Sequence, residues 1–221
     1  MTRACDLTAQ LGAVRDQGPR GTCLAFAATA VHEQARRQRR GVWPDVLGEE
    51  ILYWSCKQLD GDGQAGTYPR SVGDVLRDSG QSAAVLWPYD PRRNEMATDY
   101  APPAAALEAD QMRRATLRTI SHRLDELRAR VDAGHAVLLG LELWPGFFSA
   151  RDGALGTPAP LELIGEAHAV AVVAYDDGPQ ELLLRNSWGR TWGRDGHGRL
   201  PYGALPIVAR GAWILDDDLD G

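Results

Sequence analysis

Apolar residues spaced three and four apart mark the first half of this chain, and short continuous apolar runs mark the second. Leu24, Ala27, Ala28, Val31 and Ala35 share one helical face. With Thr22 as N-cap, that pattern predicts a helix to about Arg40, ended by Gly41, Val42, Trp43 and Pro44. A second helix is predicted over 48–58, and a third, opened by Pro69, to about Ser79 before Gly80. A fourth over 121–133 turns Leu124, Leu127 and Val131 inward and stops at Gly134. Between them, Trp87-Pro88-Tyr89-Asp90-Pro91 denies regular pairing, and 100–109, with Pro102-Pro103, is the expected crossover.

Beyond the crossover the pattern changes. Residues 136–144, 168–176, 181–186 and 207–215 are Val-, Leu- and Ile-rich runs of strand length. Gly178-Pro179 between two of them suggests a hairpin. A helical half is therefore followed by a β half. The expectation is an α+β protein of two lobes, a helical one over 1–115 and a β-rich one over 116–221, with any site in the cleft between them.

Composition narrows the function classes. A net charge of −6 speaks against nucleic acid as a partner, and no apolar run is long enough to cross a bilayer. The basic cluster Arg36-Arg37-Gln38-Arg39-Arg40 reads as a solvated helix end, and Asp216-Asp217-Asp218-Leu219-Asp220 as a frayed acidic terminus. Three cysteines, Cys5, Cys23 and Cys56, cannot all pair within one chain, and none has metal-ligand spacing. With no secretion signal at the N-terminus, the reading is a cytoplasmic protein with free thiols and with neither metal nor cofactor.

The candidate chemistry lies in three separated segments. Cys23 follows a tight loop containing Gly18, Pro19 and Gly21, at the start of the first predicted helix. A helix N-terminus lowers a thiol's pKa, and a nearby imidazolium lowers it further. His168 heads an apolar strand between small neighbours, Ala167 and Ala169, which leave its ring room to meet a thiolate. His32, His122, His135 and His197 lack such a setting and read as surface residues. Asn186 can accept from one ring N–H and aim the other nitrogen at the sulfur, and Trp188 can shield that bond from water. Gln17 can donate to an oxyanion together with the Cys23 backbone N–H.

Taken together these segments resemble the papain family of cysteine peptidases. Gln17-Gly18-x-x-Gly21-Thr22-Cys23-x-Ala25-Phe26 is similar to its oxyanion and nucleophile segment. His168-Ala169-Val170 is similar to its histidine strand, and Asn186-Ser187-Trp188-Gly189 to its asparagine segment. Gly66-Thr67-Tyr68-Pro69 and Trp87-Pro88-Tyr89 match two further landmarks. The resemblance implies the two-lobed papain-like fold with an antiparallel β lobe, and Cys23, His168, Asn186 and Gln17 as catalytic residues. Gly66, Thr67, Ala167 and Trp188 are the expected substrate-binding residues, together with Glu166, whose acidic group near the cleft would favour a basic substrate side chain. Four departures stand out. Arg20 replaces a family cysteine, leaving Cys56 an expected free thiol, and Leu24 replaces a tryptophan, opening the wall near the leaving group. Thr67 replaces a cleft glycine, and only 22 residues precede Cys23, so the reading is of a bacterial-type member lacking a pro-segment.

The expected function is hydrolysis of peptide bonds by a narrow intracellular endopeptidase through a Cys23 acyl-enzyme. Its partners would be a peptide or protein substrate and, in place of a pro-segment, a dedicated inhibitor or partner protein. Two alternatives stay open. One is acyl transfer, ligation or leader processing in peptide natural-product maturation; the other is a catalytically weak binding module on the same fold.

Overall fold

The computed structural model describes residues 3–41 and 45–219. Its α-helices are α1 (Cys23–Arg40), α2 (Glu49–Asp60), α3 (Pro69–Asp78), α4 (Leu124–Asp132) and the single turns α5 (Pro145–Phe148) and α6 (Leu205–Val208). Its strands are β1 (Ala4–Asp6), β2 (Thr116–Ile120), β3 (Val137–Glu142), β4 (Ala167–Asp176), β5 (Glu181–Arg185), β6 (His197–Pro201) and β7 (Ala209–Asp216). The sheet runs β2-β7-β3-β4-β5-β6, and β1 also pairs with β4. Among the described residues every pairing between these strands is antiparallel. The fold is α+β, as the periodicity predicts.

Helix α1 is central rather than amphipathic. Residues Leu24 to Arg36 are all buried, because Ala25, Ala27, Ala28 and Ala30 let neighbours approach on every side. It packs on α2 and α3 on one flank and on β4, β3 and β7 on the other. One apolar cluster therefore runs from the helices into the sheet. A smaller one, around Ile51, Trp87 and Ala106, lies beneath the irregular segment before β2. Most of the helical layer precedes residue 115 and most of the sheet follows it. Strand β1 crosses that line, with Cys5 opposite Tyr175.

Several expectations are corrected. The predicted strand at 207–215 begins only at Ala209, because Leu205–Val208 forms a helical turn. His32 is fully buried, with Nδ1 2.9 Å from Gln81 Oε1, so it is no surface residue. The acidic tail is not frayed. Asp217 is buried and accepts from Arg36 at 3.0 Å and Arg40 at 3.1 Å, while Asp216 and Asp218 pair with Arg118. The basic end of α1 is thus partly an ion-pair partner, since buried charge must be matched by opposite charge. Of the expected stop to α1, Gly41 takes the left-handed cap, while Val42, Trp43 and Pro44 lie outside the described residues, as does Asp220. Among the described residues no helix is long and apolar enough to cross a membrane.

Removing Asp217 takes a buried ion-pair partner from both Arg36 and Arg40. Asp217→Ala is therefore expected to lower unfolding stability by about 3 kcal/mol. A urea midpoint unchanged from the wild type would show that the tail contributes nothing.

Candidate active site

The loop before α1 is held by its ends and by its middle. Gln17 N–H donates to the Ser187 carbonyl at 2.8 Å, and Asp16 bridges to Trp188. The segment before Cys23 is thereby laid against the segment that follows β5. In the same loop Gly21 meets Gly66, from the chain between α2 and α3, so closely that a Cβ on Gly21 would stand 2.8 Å from the Gly66 nitrogen. Gly66 itself sits at φ +86, where a side chain is strained.

Arg20 anchors the middle of the loop. Its guanidinium donates to both carboxylate oxygens of Glu50 at 2.8 Å each and to Glu95 at 2.7 Å. It also donates to the Asp90 carbonyl at 2.9 Å. Arg20 and Glu50 are both buried. Cys56 is a free, fully buried thiol, as expected of the chain with Arg20 in place.

Cys23 opens α1, and its sulfur sits among the N–H groups of Ala169, Leu24 and its own residue. Burial pushes the thiol's pKa up, and those three donors oppose the rise. Next to Ala169, His168 heads β4 and presents Nε2 to Asn186 Oδ1 at 2.7 Å. That oxygen also accepts the Ser187 N–H at 2.8 Å, which fixes the amide. With Nε2 donating to Asn186, Nδ1 is the nitrogen left to serve the sulfur. Trp188 covers the pair, its ring centroid 4.8 Å from that of His168. His168 and Asn186 are both almost fully buried.

Gln17 is tied on both sides of its amide. Nε2 donates to the Arg20 carbonyl at 2.8 Å, and Oε1 accepts from Ser187 Oγ at 2.6 Å. One Nε2 hydrogen remains for a ligand beside Cys23.

The other expected residues are less central. Glu166 and Ala167 lie exposed at the mouth of β4, and the Glu166 carbonyl pairs with Leu143 N–H. Thr67 turns its hydroxyl toward the Cys56 thiol and buries it there. Leu24 is buried in the main core. Among the described residues no group of three or more His, Cys, Asp or Glu is placed to hold a metal ion. Four contributors escaped the sequence reading. Ser187 sits inside the Asn186 segment, Tyr89 inside the Trp-Pro-Tyr landmark, and the aromatic pair Phe147 and Phe148 carries no motif.

The model of the papain family of cysteine proteases matches residues 2–205. The chain belongs to that family. This papain-family chain is 25% identical to an uncharacterized peptidase C1-like protein of Acanthamoeba polyphaga mimivirus, over 93% of this chain and 70% of that protein. It is 24% identical to ananain of Ananas comosus over 85% of its length. It spans about half of ananain, 51% of it. The fold is also that of xylellain, a cysteine protease from Xylella fastidiosa, with TM-score 0.84 and 24% identity over 96% of this chain and 85% of that one.

Burial holds His168 down at about 4, against the opposing pull of its bond to Asn186. Its folded pKa lies below the ordinary 6.5, so its share of stability is complete above that value and is lost as the pH falls through about 4. In Cys23→Ala no thiolate remains to counter burial. The His168 ring is expected to titrate near 4 by NMR in that variant. Titration at or above 6.5 would show that burial does not govern the ring.

Proposed function

We propose that this protein is a cysteine endopeptidase that hydrolyses peptide bonds through an acyl-enzyme on Cys23. The observation that carries the reading is the His168–Asn186 bond at 2.7 Å, beside a sulfur seated at the N-terminus of α1. The Cys23 sulfur attacks the scissile carbonyl carbon, and its proton passes to His168 Nδ1. The resulting oxyanion takes the Cys23 backbone N–H and the remaining Nε2 hydrogen of Gln17. His168 then protonates the leaving amine as the C–N bond breaks. A water deprotonated by His168 releases the acyl group and restores the thiol.

Support for a narrow substrate range comes from the aromatic wall beside His168. Phe148, 52% exposed, stacks on Trp188 at 5.4 Å and 27°, and Phe147 meets Trp188 edge-on at 5.3 Å. The leaving amine must reach His168, so the residue after the scissile bond lies along this wall and is bulky and apolar. An intracellular setting is supported by Cys5, Cys23 and Cys56 all being free. Capture of the acyl group by an amine in place of water is the second reading.

Iodoacetamide is expected to label Cys23 rapidly and to one equivalent, with loss of cleavage. Cys23→Ala that keeps full activity would end the assignment. Gln17→Ala is expected to lower kcat about a hundredfold or more, the usual effect of losing an oxyanion donor. Product masses separate the two readings, since hydrolysis adds water and ligation does not. Phe148→Ala is expected to cut kcat/KM about tenfold for peptides with an aromatic residue after the cleaved bond, and little for those with glycine there. An equal effect on both peptides would remove Phe148 from substrate selection.

A further inference from the structure

Tyr89 lies outside the catalytic set, yet its hydroxyl touches both ends of the 17–22 loop that leads into α1. Its hydroxyl is 2.7 Å from the Gln17 carbonyl and 2.8 Å from Thr22 Oγ1. A carbonyl only accepts, so the single phenolic proton is committed to Gln17. Thr22 must then be the donor in its own contact with Tyr89. Burial pushes the phenol's pKa up, so the proton stays in place through the working range. The ring is fixed as well. The Arg20 guanidinium lies 4.7 Å from its centroid, and Phe26 meets it edge-on at 4.7 Å and 88°.

Thr22 holds the N-cap position of α1, where a threonine ordinarily turns its oxygen to the N–H of the second or third helical residue. Here the side chain makes no such bond. The backbone N–H groups of Cys23 and Leu24 instead act on the Cys23 thiol, opposing the rise that burial imposes on its pKa. None of the helices α1 to α5 has a side-chain cap, and at α1 the uncapped N–H groups lie where they can serve the reaction.

We propose that Tyr89 is a positioning residue for the peptidase: by holding the Thr22 hydroxyl it keeps that hydroxyl from capping α1, so the first N–H groups stay available to the sulfur and the oxyanion. The inference rests on the peptidase reading and concerns how that site is kept competent. Without the Tyr89 hydroxyl, Thr22 is free to rotate onto the Leu24 or Ala25 N–H, and the thiolate loses a donor.

The test compares wild type, Tyr89→Phe, Thr22→Val and the double variant, by iodoacetamide alkylation of Cys23 against pH and by peptide turnover. Tyr89→Phe is expected to slow alkylation at pH 6 about fivefold, the worth of one hydrogen bond. It should also lower kcat several-fold with KM within about twofold. The double variant should recover most of the alkylation rate, because valine has no oxygen with which to cap, while kcat stays lowered, since the bond from Tyr89 to the Gln17 carbonyl is missing from both variants. A merely structural role for Tyr89 gives no such recovery, and that result would overturn the proposal. Should Tyr89→Phe fail to fold, Thr22→Val alone still decides. Unchanged alkylation supports the proposal, whereas a marked acceleration at low pH would mean that Thr22 was capping all along. A wild-type Cys23 no more reactive than an ordinary thiol overturns the peptidase reading and this proposal with it. A reactive wild type with an unaltered Tyr89→Phe profile overturns the proposal alone.

Discussion

The buried pairing of Arg20 with Glu50 is the interaction on which the site depends. Two parallel hydrogen bonds of 2.8 Å join a guanidinium and a carboxylate that are both out of water. Such a pair gains little net stability over an apolar replacement, because desolvation offsets most of the attraction. Its value lies in direction. A bidentate fork admits one orientation, and Glu95, the Asp90 carbonyl and the Tyr89 ring each add a further restraint on Arg20. The Arg20 carbonyl in turn receives the Gln17 amide, so the charge cluster sets the oxyanion donor through one intervening peptide group.

The second half of the site is held by different physics. His168 and Asn186 sit on neighbouring parts of β4 and the end of β5, whose antiparallel pairing places Ala171 opposite Arg185. The sheet delivers the ring and the amide together, and Trp188 with Phe147 closes the surroundings to water. Exclusion of water strengthens the His168–Asn186 bond and weakens the charged form of the ring at the same time. The same burial that orients the base opposes its charging, and the N–H groups around Cys23 offset that cost on the sulfur side.

Elements with a long, strong period were legible in the sequence. Helices α1 to α4 and strands β3, β4, β5 and β7 lie within a few residues of where the periodicity puts them. Strands β1, β2 and β6 were not read. Ala4–Asp6 has three residues and no pattern, and His197–Pro201 carries a single large apolar residue, Leu200. Each exists because an already formed strand offers it a partner, and such pairing leaves no local trace. The burial of Arg36, Asp217 and His32 was illegible for the same reason, since each is matched by a group far away in the chain.

The sequence by itself determined the chemical inventory: a cysteine at a helix start, a histidine at a strand head, an asparagine before a tryptophan and a glutamine six residues ahead of the cysteine. Local pattern carries that information because caps, periods and turn formers act over a few residues. Only the tertiary structure decided which N–H groups reach the sulfur, that Thr22 points to Tyr89 rather than to its own helix, and that Arg20 fastens the loop. Those outcomes are set by contacts between residues 67 and 30 positions apart, and by which hydroxyl proton is already committed elsewhere. Neither the distance nor the proton count can be read along the chain.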